Sequence, residues 1–209
     1  MRLTLRVFYA LLYHRFAWTY DWVAALVSCG KWQAWVRTAL PYLPGPMVLE
    51  LGYGPGHLQK LLRDAGKLAF GIDASREMSR LAQHNLLRER YPSRLIIGYA
   101  QSLAFPDGTF DQIVATFPTR YIVEPDTLSE VGRVLKPDGD LVILAGGLPT
   151  GKKACQRLSA WLFRLSGQRP QIDEASLLEP FINAGFEAEC VTKETLGSKL
   201  WFILAQKKL

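Results

Sequence analysis

Short apolar runs alternate with longer stretches of helical period through most of the chain. Met47 to Leu51 is apolar except at Glu50 and too short for a helix, so it reads as a buried strand. Glycines follow, and then His57, Leu58, Leu61, Leu62 and Ala65 recur at helical spacing with Gln59, Lys60, Arg63 and Asp64 between them. Lys67 to Ile72 is a second short strand, ending in Asp73. A helix over 75–90 is opened by Ser75 as N-cap and shows Met78, Leu81, Ala82 and Asn85 on one face. Arg94 to Gly98 and Asp111 to Phe117 are the next two strands, the latter announced by the Asp107-Gly108 turn. Pro125 to Leu135 is a helix, Lys136-Pro137-Asp138-Gly139 its stop and turn, and Leu141 to Ala145 the fifth strand. A last helix over 174–184 stops at Gly185, and Phe186 to Thr192 and Leu200 to Gln206 form a hairpin through Gly197-Ser198. This alternation predicts an α/β domain whose ligand edge is the carboxyl ends of the strands.

Two segments fall outside that alternation. Residues 3 to 29 predict one or two helices carrying Phe8, Tyr9, Tyr13, Phe16, Trp18, Tyr20 and Trp22 nearly all round the wheel. Such a helix is covered by a partner, packed as a lid, or set in a membrane interface that favours Trp and Tyr. Trp32, Trp35 and Val36 continue it until Pro41, Pro44 and Pro46 break the chain. We therefore expect a helical lid segment over 1–46 and an α/β domain over 47–209, with a helical insertion at about 150–170. In that insertion Ala154, Leu158, Trp161, Leu162 and Leu165 share one stripe, and Lys153, Arg157 and Arg164 another.

Charge sharpens the contrast. The net charge is +6, yet residues 1–40 and 150–170 together hold +9, which leaves 15 basic and 18 acidic residues elsewhere. The basic segments interleave bulky apolar residues at helical spacing, a pattern that argues against a polar nucleic-acid groove. At 209 residues, 49% hydrophobic and 11% aromatic, the chain suits one domain with a sizeable core and is not disordered. Cys29, Cys155 and Cys190 form no C-x-x-C pair, and neither they nor His14, His57 and His84 stand at ligand spacing. No metal or catalytic cysteine is expected, and no run is apolar enough to span a bilayer. The expected location is the cytoplasm, with peripheral contact to a membrane.

The chemistry gathers at Gly52-Tyr53-Gly54-Pro55-Gly56 between the first strand and helix, where absent side chains let the backbone turn sharply and approach a ligand. Asp73 stands twenty-one residues beyond Gly52, about where a carboxylate reaches ribose hydroxyls. Four motifs occur in order over residues 47–146. They are Glu50-x-Gly52-x-Gly54-x-Gly56, Gly71-Ile72-Asp73-Ala74-Ser75, Phe105-Pro106-Asp107-Gly108-Thr109-Phe110-Asp111 and Arg133-Val134-Leu135-Lys136-Pro137-Asp138-Gly139. Together they resemble the class I S-adenosylmethionine-dependent methyltransferases, in the type 11 branch that includes the quinone-biosynthesis enzymes.

The resemblance implies a Rossmann-like, doubly wound, seven-stranded sheet with an antiparallel C-terminal hairpin and a helical N-terminal lid. It implies S-adenosylmethionine as cofactor. Glu50 would hold the methionine ammonium, and Gly52, Gly54 and Gly56 would lie under methionine and ribose. Asp73 and Ala74 would meet the ribose, Met78 the adenine, and Thr116 and Phe117 the cofactor's substrate side. Tyr53 is larger than the residue usual there and would narrow the pocket. Tyr99 stands where relatives carry an acidic residue for the adenine amino group, so that contact falls to Ala100, Gln101 and Ser102. Tyr20 and Asp21 resemble an entry helix closing over the cofactor, and Tyr20, Arg120 and Tyr121 are candidates for the substrate side. No dedicated catalytic base is evident. The expected acceptor is a small lipophilic molecule, a quinone precursor or lipid, met at an anionic membrane surface. Two other readings stay open on the sequence alone: a nicotinamide oxidoreductase and a non-catalytic protein that keeps the fold.

Overall fold

The computed structural model describes residues 28–88, 92, 94–150, 174–195 and 197–208. Nearly all of the aromatic segment over 3–29, with Tyr20 and Asp21, and nearly all of the basic insertion lie outside the described residues. Helix α1 (Trp32–Arg37) and a 3-10 turn (Leu40–Tyr42) lead to β1 (Met47–Leu51), α2 (His57–Asp64), β2 (Leu68–Asp73), α3 (Arg76–Arg88) and β3 (Leu95–Ile97). Then come β4 (Phe110–Thr116), a 3-10 turn (Arg120–Val123), α4 (Pro125–Val134), β5 (Leu135–Pro149), α5 (Glu174–Asn183), β6 (Phe186–Thr195) and β7 (Ser198–Lys207).

The seven strands lie in the order β3-β2-β1-β4-β5-β7-β6. The first five run parallel, β7 is antiparallel to β5, and β6 is antiparallel to β7. Strand order reverses between β1 and β4, the switch point at which open α/β sheets bind ligands. This is the expected fold class, and the antiparallel β7 sets it apart from the all-parallel dinucleotide sheet that the oxidoreductase reading required.

Period two along the central strands sorts side chains to the two faces. Leu49, Leu51, Ile113, Ala115, Leu141 and Ile143 join Leu128, Val131 and Val134 of α4 and Phe181 of α5 in one core. Val48, Val114, Val142, Leu144, Leu200 and Phe202 join Trp35 and Val36 of α1 and Leu58 and Leu62 of α2 in the other. A central strand buried on both faces is therefore apolar almost throughout. Glu50 is the exception, and by parity it shares the face of Val48, toward α2.

One sequence reading is corrected. The fifth strand is not confined to Leu141–Ala145: it runs from Leu135 to Pro149, because pairing with β7 continues past a register shift as far as Pro149 and Ser198. Lys136 to Gly139 accordingly lies within that strand, with Asp138 in the left-handed conformation at φ 60°. Among the polar positions of α2, two are buried. Gln59 and Arg63 are buried beside Leu58 and Leu62, because they answer the buried carboxyl of Glu50.

Candidate active site

The loop from β1 to α2 is wound by three left-handed glycines, Gly52 at φ 70°, Gly54 at φ 50° and Gly56 at φ 87°, a conformation that strains any residue with a Cβ. Each does something different. The Gly52 amide donates to the Ile72 carbonyl at 2.7 Å, which closes the loop onto β2. Above Gly54 a Cβ would meet nothing within 4 Å, so a ligand has open backbone to lie against. At Gly56 a Cβ would stand 3.1 Å from the Ala82 Cβ, so its absence lets α3 pack close. From α3 the Asn85 amide nitrogen donates to the Pro55 carbonyl at 3.0 Å and secures the outer side of the loop.

Asp73, at the end of β2, bridges two backbones. The Gly54 amide donates to Oδ2 at 2.9 Å and the Ser75 amide to Oδ1 at 2.8 Å. Each carboxylate oxygen keeps a lone pair for a further donor. Burial pushes its pKa up, while the two amides pull it back down. Ser75 caps α3 as expected, its hydroxyl accepting from the Met78 amide at 3.2 Å. Ala74 is exposed beside the site, whereas Met78 is wholly buried in the domain.

Glu50 is 1% exposed. Gln59 Nε2 donates to its Oε2 at 3.0 Å and also to the Phe70 carbonyl at 2.9 Å. Gln59 Oε1 accepts from Arg63 Nη2 at 3.2 Å, and Arg63 donates onward to the Ala69 and Pro92 carbonyls. Desolvation dominates at Glu50 and drives its pKa up to about 8; the nearby Asp73 charge adds to this, and Gln59 and Arg63 oppose it. Gly71 makes the arrangement sterically feasible. A Cβ there would fall 2.8 Å from Tyr53 Cδ1, 2.9 Å from Leu95 Cδ2 and 3.1 Å from Gln59 Nε2. The Tyr53 ring thus lies beneath the loop against Gly71, 2% exposed, with its hydroxyl beside Ser79.

Across the cradle, Tyr121 donates its hydroxyl to the Leu51 carbonyl at 3.1 Å and comes within 2.8 Å of where a Gly52 Cβ would stand. Arg120, beside it in the 3-10 turn, is exposed. Thr116 ends β4, and Phe117 follows with φ 50°, its amide donating to the Leu144 carbonyl. That unusual backbone for an aromatic residue turns its ring onto Trp32, with centroids 4.1 Å apart and the rings stacked; Trp35 lies 6.1 Å away. Beyond β3, Tyr99 is 68% exposed, Ala100 is buried and Ser102 is exposed. Gln101 Nε2 donates to Glu124 Oε2 at 2.6 Å, which leaves its carbonyl oxygen for a donor.

The structure thus brings Glu50, Gly52, Gly54, Gly56, Asp73 and Tyr121 to one edge around the switch point. Gln59, Arg63, Gly71 and Asn85 were missed as supports of that edge. Gly71 carried a signal, a glycine inside an apolar strand, which marks close approach of another group. Two surface hollows lie elsewhere. One of about 390 Å³ is lined by Pro44, Asp111, Lys136 and Gly139 at the opposite strand ends, and one of about 550 Å³ lies between α4 and α5. Among the described residues no three His, Cys, Asp or Glu side chains gather around a metal-sized site, and no helix is long and apolar enough to cross a membrane.

Comparison with known proteins agrees with this geometry. Residues 49–143 match the family described as Methyltransferase domain. A demethylmenaquinone methyltransferase of Symbiobacterium thermophilum is 32% identical over 149 residues, covering 66% of this chain and 59% of the relative. A ubiquinone/menaquinone biosynthesis C-methyltransferase of Paraburkholderia xenovorans is 31% identical over 140 residues, covering 64% and 58%. The chain thus spans less than two thirds of the length of these curated relatives. A solved SAM-dependent methyltransferase of Methanosarcina mazei superposes with a TM-score of 0.58 at 24% identity, covering 81% of this chain and 97% of that one, and shows the shared fold. Sheet order, glycine cradle and ordered motifs agree with these matches in supporting a class I S-adenosylmethionine-dependent methyltransferase.

Proposed function

We propose that the protein transfers a methyl group from S-adenosylmethionine to a small lipophilic acceptor. The observation that carries this reading is the cradle at the switch point, open above Gly54 and flanked by the carboxyls of Glu50 and Asp73. Its chemistry suits the cofactor: two hydroxyls for the lone pairs of Asp73, an ammonium for the charge of Glu50, and flat backbone contact along Gly54. When bound, the cofactor supplies a methyl on a cationic sulfur that departs neutral.

The residues then have mainly to bind, align and exclude water, and alignment by itself can supply much of the rate of an in-line displacement. Asp73 anchors the ribose, and Gln101 and Ala100 take the adenine edge. Tyr121 closes the cradle on the acceptor side, and Phe117 on Trp32 forms an aromatic wall. Ala74, Ser102, Thr116 and Arg120 border the same edge; Tyr53 and Met78 support it from below. An acceptor that ionises unaided needs no base.

A lipophilic acceptor is supported by that aromatic wall, by the quinone-pathway names of the relatives, and by the aromatic and basic segments that the sequence places before β1 and after β5. An anionic membrane surface is the proposed meeting place, each Lys or Arg near it contributing about 1 kcal/mol that salt screens. Native mass spectrometry and titration calorimetry with S-adenosylmethionine test the first step, and binding of a nicotinamide nucleotide in its place would overturn the assignment. Co-sedimentation with anionic and neutral vesicles tests the second. Absence of binding to both, together with fast methylation of a water-soluble acceptor, would remove the membrane and leave the methyltransferase.

A further inference from the structure

Glu50 poses a question that cofactor binding does not by itself answer. A carboxyl buried at the centre of a sheet, with one neutral amide as its hydrogen-bond donor, is costly to ionise. Among the described residues no cation bonds it directly; the nearest, Arg63, is spent on Gln59 and on two backbone carbonyls. The ionisable groups facing it are Asp73 from β2, Arg63 from α2 and the Tyr53 phenol from the loop, while its partner on β4 is the apolar Val114. A second carboxyl thus stands on one side, and the one guanidinium is held a residue away. Gly71, by lacking a Cβ, leaves room for the Gln59 amide to reach the carboxyl at all.

We propose that burial beside the second carboxyl of Asp73 keeps Glu50 in its uncharged acid form in the ligand-free protein, that Gln59 and Arg63 are positioning residues that fix the carboxyl in place, and that an ammonium-bearing ligand entering the glycine cradle expels the Glu50 proton to solvent. This rests on the cofactor reading above. The balance is simple: the Glu50 carboxyl loses one proton to the buffer, the ligand ammonium keeps its three, and a neutral buried acid is replaced by a carboxylate–ammonium pair. Gln59 prepares the charged state, since its amide nitrogen donates to the carboxyl and its carbonyl is tethered by Arg63, so it cannot turn to accept the acid proton without breaking that tether. Ligand affinity then depends on pH through this one group.

The test is titration calorimetry of the intact protein with S-adenosylhomocysteine, repeated in buffers of different ionisation heat from pH 6 to 8. We expect release of about one proton per ligand at the acid end and an affinity that rises up to about tenfold per pH unit. Methylthioadenosine, which carries the same nucleoside and thioether without the ammonium, should bind with no release. Glu50→Gln should abolish the release and flatten the pH profile. Gln59→Leu or, if that variant does not fold, Arg63→Lys should move the midpoint of the profile, a change that a purely structural role would not produce. Homocysteine-ligand binding without proton release overturns this inference and leaves the methyltransferase reading intact. Failure of both nucleosides to bind overturns the cofactor reading as well.

Discussion

The two ends of the parallel strands use the same residue types in opposite ways. At the amino ends, Arg133 of α4 donates to Glu130 Oε1 and Oε2 at 2.7 and 2.8 Å, to Asp107 at 2.7 Å, and to the carbonyls of Leu103 and Phe105. Lys136 meets Asp111 at 2.6 Å, and the other oxygen of Asp111 accepts from the Met47 amide at 2.8 Å. Those carboxylates are paired: hydrogen bonding from Arg133 lowers the pKa of Glu130, and bonds from Lys136 and Met47 outweigh partial burial to lower that of Asp111. At the carboxyl ends, Glu50 and Asp73 are buried without a bonded cation among the described residues, and both are raised. Two of the four sequence motifs build the first edge and two build the second. One edge spends its charges on holding the fold, and the other leaves its carboxyls without a bonded cation among the described residues.

Opposite shifts require opposite pH responses. A carboxyl whose folded pKa stands above its unfolded value favours the folded state while protonated, so the contribution of Glu50 is complete below about 4.5 and lost as pH rises toward 8. The slope is at most about 1.4 kcal/mol per pH unit. Glu130 and Asp111 work the other way, supporting the fold above the usual carboxylate range and losing that support as pH falls through their lowered values. Thermal melts from pH 5 to 9 should therefore show stability declining through neutrality, and Glu50→Gln should remove most of that decline. A melt indifferent to pH over this range, or a variant that declines as steeply as the parent, would erase the contrast.

The next largest effect is expected at Asp73. Asp73→Ala removes charge-assisted bonds worth roughly 1.5 to 3 kcal/mol each and should weaken S-adenosylmethionine binding by at least about tenfold. Unchanged affinity in calorimetry would sink the ribose assignment. Gly71→Ala tests the support beneath the cradle. The new Cβ collides with Tyr53, Leu95 and Gln59, so about 1 to 3 kcal/mol of stability should be lost, read as a lower denaturation midpoint. At the other edge, Arg133→Met should cost about 1 to 2 kcal/mol of stability yet leave cofactor affinity per folded molecule unchanged. Asp107→Ala, whose carboxylate is 80% exposed, should cost no more than about 0.5 kcal/mol. A loss of affinity in either variant would mean that the two edges are not independent.

Much of this organisation is legible in the sequence because it is local. Short apolar runs, the glycine turn, Ser75 before its helix and the Asp107-Gly108 turn act within a few residues, and periodicity reports them directly. The order of the motifs carried the fold class, and it led to Gly52, Gly54, Gly56 and Asp73. What the tertiary structure decided depends on partners far apart in the chain. Gln59 and Arg63 look like a solvated helix face until strand parity turns Glu50 toward them. Gly71 looks like a defect in a strand until Tyr53 and Gln59 occupy its missing side chain. Phe117 and Trp32, 85 residues apart, become one stack only through a left-handed backbone that no pattern announces. The long β5 is decided by β7, which is made more than fifty residues later. Periodicity states which face a residue takes, but the identity of what waits on that face, and hence whether a carboxyl is paired or held neutral, is set only when the sheet closes around it.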